Sequence, residues 1–223
     1  MEQIALDMPA LLSWAFPRLA GDRERLAPGG LVAKMREGGR LLHAALGPDA
    51  VDLAAAFESD TVRGWGAMAI GAAPGLPIAH RLDKLRVFAD DRHFAVREWA
   101  WLSLRPHVIG ELQAALAQLP EWSADSSHNV RRFASEVTRP RGVWSGHIPE
   151  LKAAPHLGMP VIEPLFADPS RYVQDSVGNW LNDASRTQPA WVLGVCDGMA
   201  TESQATERIR LRALRTIGRR LSP

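Results

Sequence analysis

The sequence predicts an all-α protein built as an array of stacked helical pairs, because one residue pattern recurs along the chain. Each copy centres on a β-branched residue, and a small or aliphatic residue follows it four positions later. The central residues are Val62, Val96, Val130, Val173 and Ile209, which lie 34, 34, 43 and 36 residues apart. A period of this size with helical composition is typical of arrays in which each unit buries its apolar face against its neighbours.

Two charged positions repeat with the same period and support the alignment of the copies. Arg directly follows the central residue in four copies, and Asp precedes it by five residues in the three middle copies. These residues are Arg63, Arg97, Arg131 and Arg210, with Gln174 as the exception, and Asp91, Asp125 and Asp168. The fourth unit is the longest and carries about nine extra residues, between Gly142 and the proline-rich stretch 155–164.

Proline and glycine breaks predict the order of the elements within a single domain that covers residues 1–223. Residues 1–40 are expected to form a helical lead-in, and residues 40–58 to form the first long helix. Five repeats are expected, around 41–73, 78–105, 107–140, 147–186 and 188–221. Pro106 and Pro140 are expected to end the second and third repeats, and Asp168 to act as an N-cap before Pro169. No strand pattern is present.

Composition narrows the class of protein further. The chain has no run of 18 apolar residues, so we expect no membrane span. The N-terminus lacks a secretory pattern, and the single cysteine, Cys196, suits a reducing compartment, so a cytoplasmic location is expected. The chain has 23 arginines and three lysines, and arginines crowd the last repeat. This excess fits phosphate binding, or equally a solvated terminal helix in a chain that favours arginine codons.

One helical face carries charged residues at the same phase in several units. Counted from the central residue, positions +2, +6 and +10 form a stripe that is separate from the apolar one. The stripe contains Glu98, Arg132, Glu136, Asp175, Asn179, Asp183, Leu211, Arg215 and Arg219. Such residues are often only solvated, and neighbouring helices lie about 8–10 Å apart, which would put Glu98 and Asp183 roughly 20 Å apart. Glu136 is therefore the central candidate.

Two segments resemble a known family. Residues 133–141, FASEVTRPR, followed by Trp144, are similar to the ASEGTRPR…W signature of bacterial AlkC-type DNA alkylation-repair glycosylases. Residues 168–183, DPSRYVQDSVGNWLND, resemble the next signature of that family, and residues 94–98 resemble the unit before. The likeness runs from about 78 to 221. Val137 stands where the family usually has Gly, and Gly142-Val143 replaces Leu-Pro.

The resemblance implies a HEAT-like helical-repeat solenoid, an α-α superhelix of the AlkC/AlkD group, with a concave DNA-binding face. It implies a monomeric enzyme that removes N-alkylated bases, such as 3-methylated ones, from double-stranded DNA, and that associates with the nucleoid when bound. It also implies that no metal or other cofactor is needed. By motif match, the catalytic carboxylates would be Glu136 and Asp183, with Glu98 assisting.

Physical chemistry assigns roles to these residues. A ring-methylated base is already cationic, so carboxylates need only stabilise an oxocarbenium-like sugar and aim a water. Glu136 would lead, and the case for base excision rests on its facing the groove instead of lying buried against a permanent internal counter-ion. Trp144 and Trp180 are candidates for stacking on the lesion, although core packing is the alternative for each and is favoured for Trp180.

Five arginines are predicted to contact DNA phosphates: Arg132, Arg139, Arg141, Arg215 and Arg219. Arg139 and Arg141 could instead satisfy carbonyls at the end of their own helix. The histidine spacing predicts no metal site. Two other functions remain open: a non-catalytic helical-repeat protein that binds damaged or branched DNA, and a protein-interaction scaffold.

Overall fold

A computed structural model describes residues 6–199 and 203–221, with side chains up to Gly218, and these residues form helices and turns without a strand. Contacts divide the chain into two compact units, Met1–Leu104 and Arg105–Pro223. No helix within the described ranges is both long and apolar enough to span a bilayer. The prediction of an all-α fold is therefore confirmed for the part of the chain that the structure describes.

The first unit consists of helices joined by short turns. A stretch of 3-10 helix, Pro17–Leu26, follows the first α-helix. The α-helices are α1 (Met8–Ala15), α2 (Leu31–Leu46), α3 (Ala50–Ala55), α4 (Asp60–Ala72), α5 (Ile78–Ala89) and α6 (Phe94–Gly110), the last of which continues past the boundary of the unit. Helix α4 packs against α2, α3 and α5. The predicted single helix over 40–58 is wrong, because positive φ at Gly47 ends α2 and a new helix begins at Ala50.

The second unit contains the remaining elements, with 3-10 turns at Pro155–Gly158 and Glu163–Leu165. The α-helices are α7 (Leu112–Ser123), α8 (His128–Val137), α9 (Pro149–Ala153), α10 (Met159–Ile162), α11 (Arg171–Ala184), α12 (Pro189–Asp197), α13 (Gln204–Ala213) and α14 (Arg215–Leu221). Helix α8 packs against α7 and α11, and α11 packs against α13. Pro106 does not end its helix as predicted, because α6 continues through it to Gly110.

The apolar residues of the repeat pattern form the cores of the units. The central residues Val62, Val96, Val130, Val173 and Ile209 are at most 1% exposed. The small residue four positions later allows close helix packing: a Cβ on Gly66 would lie 2.6 Å from the Cβ of Ala54. The repeat pattern therefore predicted the buried positions correctly.

The repeated Arg and Asp residues join consecutive repeats. Arg63 binds Asp91 through two hydrogen bonds of 2.6 and 3.0 Å, and Arg131 binds Asp168 through bonds of 2.6 and 3.1 Å. Asp168 also accepts the backbone N–H of Ser170, which is the N-cap residue of α11. The predicted N-cap role of Asp168 is therefore wrong, since Asp168 precedes the cap by two residues and its carboxylate holds Arg131.

Candidate active site

Arg139 brings the two predicted catalytic carboxylates together in the second unit. Glu136 and Asp183 lie one residue before the last residues of α8 and α11, and Arg139 follows α8. The Nε and Nη2 atoms of Arg139 each lie 2.8 Å from Oδ2 of Asp183. The Nη1 atom donates to Oε2 of Glu136 at 3.2 Å. One guanidinium thus serves two carboxylates from neighbouring helices.

Buried polar contacts fix the register of α8 against α11, and so the position of this cluster. Ser176 donates its hydroxyl to Ser135 at 2.9 Å, and the indole N–H of Trp180 donates to the Thr138 hydroxyl at 3.2 Å. All four side chains are buried, where an unmade hydrogen bond is costly. The carboxylates are therefore held by the helix packing as well as by Arg139.

Glu136 does not meet the condition that the sequence hypothesis set for it. Its side chain is 5% exposed, and Arg139 occupies one of its oxygens. The other oxygen lies 3.5 Å from Nη2 of Arg132. Because both oxygens face internal counter-ions, the geometry opposes Glu136 as the free, leading base. The condition on which the case for base excision rested is therefore not met, and the catalytic role of Glu136 stays a prediction.

Asp183 keeps one oxygen available. Both contacts with Arg139 use Oδ2, and no hydrogen bond to Oδ1 is found among the described residues. The side chain is 11% exposed. Desolvation by burial raises the pKa of Asp183, and the charge of Glu136 raises it further, while Arg139 and Arg186 oppose the shift. Of the two carboxylates, Asp183 is therefore the one with an oxygen that makes no hydrogen bond within the described residues.

Arg132 and Arg139 are engaged inside the protein, contrary to the prediction that they contact phosphates. Burial alone would lower the pKa of Arg139, but the charges of Glu136 and Asp183 outweigh it and raise that pKa. The guanidinium carbon of Arg132 lies 4.2 Å from the centre of the Tyr172 ring. Neither residue presents a free cation to DNA in this arrangement. Among the described residues, the Arg139 guanidinium donates to no carbonyl at the end of its own helix, where only its backbone N–H binds, to the Glu136 carbonyl at 3.3 Å.

The extra residues of the fourth unit form an exposed loop that carries Trp144. The loop is closed by a hydrogen bond of 3.1 Å from the Ile148 N–H to the Pro140 carbonyl. Trp144 is 73% exposed and has a φ of 58°, the one positive value at a described non-glycine residue. A Cβ on Gly142 would lie 2.0 Å from the Ser145 hydroxyl and 3.0 Å from the Gly146 carbonyl oxygen, so a larger residue would have to displace the Ser145 side chain. Core packing is thus excluded for Trp144.

The loop lies within electrostatic range of the carboxylate cluster. Burial and the positive charges of Lys152, Arg141 and Arg105 lower the pKa of His147, while the charge of Asp183 opposes that shift. His147 follows Trp144 by three residues and is exposed. Arg105 donates to the carbonyls of Gly146 in the loop and of Arg139 in the cluster, so the loop and the cluster lie in one region of the second unit.

Trp180 packs in the core, as its position on the apolar face of its helix predicted. Its side chain is fully buried, and it lies 6.4 Å from the Trp191 ring, measured between ring centroids. A side chain in this position cannot stack on a DNA base, so the prediction that Trp180 stacks on the lesion is wrong. The residue is part of the core.

Glu98 lies in the first unit, on α6. It is half-buried and accepts a hydrogen bond of 2.8 Å from the indole N–H of Trp101. Trp101 is itself buried. The contact gives Glu98 a structural role, and its assisting catalytic role stays a prediction.

An arginine-rich groove of about 600 Å³ runs along α13 in the second unit. Its lining residues are Arg171, Gln204, Glu207, Arg208, Leu211, Arg212 and Arg215. Oδ1 of Asp175 holds Arg208 at 2.7 Å and Arg212 at 2.8 Å. Four arginines thus face two carboxylates, those of Glu207 and Asp175, which leaves the groove positive.

The groove includes one predicted phosphate contact and adds residues that the sequence analysis did not select. Arg215 was predicted, is exposed, and donates to Asn182 Oδ1 at 3.2 Å. Arg171, Arg208 and Arg212 were missed, although the crowding of arginines in the last repeat was a signal for two of them. Arg141 is half-buried beside the Trp144 loop. The side chain of Arg219 lies outside the described residues.

Comparisons with known proteins agree with this architecture. Residues 92–195 match the family of DNA alkylation repair enzymes. The chain is 35% identical, over 140 residues, to the uncharacterized protein YhaZ of Bacillus subtilis (strain 168), covering 63% of this chain and 38% of that protein. It thus spans well under half the length of this curated relative.

Solved structures extend the likeness to almost the whole chain. The alkylpurine DNA glycosylase AlkC of Pseudomonas fluorescens, bound to DNA containing an abasic site analog, superposes with a TM-score of 0.81 at 26% identity. The match covers 97% of this chain and 62% of that one. AlkD2 from Streptococcus mutans shares the fold, with a TM-score of 0.66 at 22% identity over 84% of this chain and 90% of its own. Residues 92–195 are therefore similar to DNA alkylation repair enzymes, and the chain shares the helical-repeat fold of AlkC and AlkD2.

Proposed function

We propose that the protein excises cationic N-alkylated bases, such as 3-methylated purines, from double-stranded DNA by hydrolysing the N-glycosidic bond. The observation that carries the proposal is the carboxylate of Asp183. One oxygen is fixed by Arg139 and the other is available, within electrostatic range of the loop that bears the exposed Trp144. The match of residues 92–195 to DNA alkylation repair enzymes and the likeness of the chain to a DNA-bound glycosylase support the same substrate.

The chemistry needs no acid to activate the leaving group. The alkylated base is already positively charged, so it leaves as a neutral molecule when it takes the electrons of the glycosidic bond. Asp183 stabilises the oxocarbenium-like sugar and accepts a proton from the water whose oxygen bonds to the anomeric carbon. Glu136 acts indirectly in this proposal, because it holds Arg139, and Arg139 orients Asp183.

Trp144 and the arginines supply binding. A cation–π contact between an exposed indole and a cationic base contributes about 0.5–2 kcal/mol. In this proposal Arg141 and the arginines of the α13 groove contact phosphates, which would make binding depend on salt. The concave DNA-binding face that the resemblance implies is part of this proposal.

A second candidate function is recognition of damaged or branched DNA without catalysis. The burial of Glu136 against Arg132 and Arg139 favours it, because a fully paired carboxylate is suited to structure more than to proton transfer. Under this alternative, the groove and Trp144 bind the lesion, and the glycosidic bond stays intact.

Single-turnover base release separates the two functions. Duplex DNA with one 3-methyladenine-type lesion is incubated with excess protein, and free base is quantified against DNA without protein, because such lesions also depurinate spontaneously. Release above this background that is lost in Asp183→Asn supports excision. Tight, lesion-selective binding by the wild-type protein without release supports the second candidate, and release that survives in Asp183→Asn contradicts the proposed mechanism.

A further inference from the structure

Arg105 is a fully buried side chain whose hydrogen bonds connect the Trp144 loop to the carboxylate cluster. Its Nε atom donates to the Gly146 carbonyl at 3.1 Å, within the loop. Its Nη1 atom donates to the carbonyl of Val137, the last residue of α8, at 2.8 Å. Its Nη2 atom donates to the carbonyl of Arg139 at 2.5 Å. A single guanidinium thus contacts both parts of the candidate site.

We propose that Arg105 is a positioning residue, which sets the Trp144 loop and Arg139 in the one arrangement needed to act on a bound lesion. The inference rests on the proposed function and adds a residue that the sequence analysis did not select. Arg105 makes no hydrogen bond to the carboxylate of Asp183 or of Glu136 among the described residues. It acts on Asp183 through the backbone of Arg139, and on the stacking indole through Gly146.

The chemistry of arginine explains why this position can do both. Carbonyls at the end of a helix lack helical partners, and a buried carbonyl without a donor is costly. The planar guanidinium offers donors in several fixed directions, whereas lysine offers a compact charge without that geometry. Burial, followed by repulsion from Arg139, lowers the pKa of Arg105 to about 10, so the side chain still carries its charge at neutral pH.

Arg81 provides a matched control in the first unit. It is also buried, and it donates to carbonyls at the end of α4: those of Ile70, Gly71 and Ala73, the last at 2.6 Å. It therefore completes a helix end as Arg105 does. The segment that follows, around Gly75, contains neither a tryptophan nor a predicted catalytic residue. Loss of Arg81 reports the cost of an uncapped helix end alone.

The experiment compares Arg105→Met with Arg81→Met, each with and without Trp144→Ala. Backbone hydrogen exchange is followed by mass spectrometry over peptides that cover 141–148, at a temperature where circular dichroism shows every variant to be folded. Arg105→Met is expected to lose protection in 141–148, and Arg81→Met to keep it. Excision by Arg105→Met is expected to fall on the order of 10²-fold, the cost of a misplacement near 1 Å.

The double variants distinguish positioning from simple destabilisation. If Arg105 acts partly through Trp144, its loss costs less when Trp144 is already Ala, so the two effects are not additive. Additive effects, or unchanged exchange in 141–148, would overturn the inference. Arg105→Lys serves the same comparison if Arg105→Met does not fold. If the wild-type protein releases no base, the proposed function fails, and the exchange data still decide whether Arg105 holds the loop.

Discussion

Two arginines of the second unit, eight residues apart, differ in the number of carboxylates that they bind. Arg131 binds one carboxylate, that of Asp168, through two hydrogen bonds of 2.6 and 3.1 Å. Its remaining Nη1 atom donates to the Asp125 and Ser126 carbonyls, each at 2.9 Å. Arg139 divides its donors between two carboxylates and leaves one oxygen of Asp183 without a partner among the described residues.

This difference in the number of bound carboxylates distinguishes a structural ion pair from a candidate catalytic site. Asp168 is 3% exposed at its side chain, and the Ser170 N–H also binds it, so both of its oxygens are engaged. We call such a pair, in which the arginine binds both carboxylate oxygens, a closed pair. The first unit contains another closed pair, Arg63 with Asp91. A closed pair recurs with the repeat, whereas the shared guanidinium lies beside the extra loop of the fourth unit. A carboxylate oxygen without a hydrogen-bond partner in the described ranges therefore distinguishes the candidate site from the structural pairs better than the presence of charged residues does.

The largest expected effect on the excision rate comes from replacing Asp183, whose carboxylate has one oxygen without a hydrogen-bond partner in the part of the chain that the structure describes. Asp183→Asn keeps the size of the side chain but removes the proton acceptor, so single-turnover excision is expected to fall on the order of 10²–10⁴-fold. Rapid-quench measurement of base release at saturating protein gives this rate. If Asp168→Asn, at matched folded fraction, slows release as much as Asp183→Asn does, the distinction between a structural and a catalytic carboxylate is contradicted.

The closed pair is expected to affect stability more than activity. Asp168→Ala leaves Arg131 without its carboxylate in a mostly buried position, and breaking such a pair typically costs about 3–5 kcal/mol. Urea unfolding followed by circular dichroism measures the loss in free energy of unfolding. Glu207→Ala is the control, since its exposed pair with Arg210 at 3.3 Å is expected to contribute about 1 kcal/mol or less. A loss for Asp168→Ala no larger than the control would show that the pair is not structural.

The exposed Trp144 is expected to affect excision and to have little effect on stability. Because this side chain is 73% exposed, Trp144→Ala is expected to leave the free energy of unfolding nearly unchanged. Loss of a cation–π contact of 0.5–2 kcal/mol corresponds to excision slowed about 2- to 30-fold. Single-turnover rates and urea unfolding of the same variant test both statements. A Trp144→Phe variant that recovers part of the rate would support stacking, and a large loss of stability in Trp144→Ala would contradict it.

The smallest expected effect is a shift in pH dependence. Excision needs ionised Asp183, so the rate falls as pH drops through a folded-state pKa that burial raises above the ordinary value of 3.8. Glu136→Gln removes a negative charge that contributes to this raised pKa. The acidic limb of the rate profile is therefore expected to move to lower pH. If Glu136→Gln abolishes release at every pH and Asp183→Asn does not, Glu136 is the base, and the original order of the carboxylates is restored.

The sequence was sufficient for much of the fold and for part of the site. The repeat spacing predicted the buried residues, since apolar periodicity reflects burial directly. The family signatures selected Glu136, Asp183 and Trp144, and the structure links all three to one region of the second unit. Arg105 was missed, because a buried arginine that binds backbone carbonyls leaves no pattern in the spacing of side chains.

Residue types at fixed spacing determined on their own that this chain is an all-α repeat protein, because helix formation and burial follow local periodicity. The tertiary structure decided which charges meet: Arg139 with two carboxylates, Arg131 with one, and Arg105 with three carbonyls. Hydrogen bonds depend on distances of a few tenths of an ångström between atoms that lie tens of residues apart in sequence. The packing of the helices sets those distances, and the packing of α8 against α11 decides which carboxylate oxygen stays available.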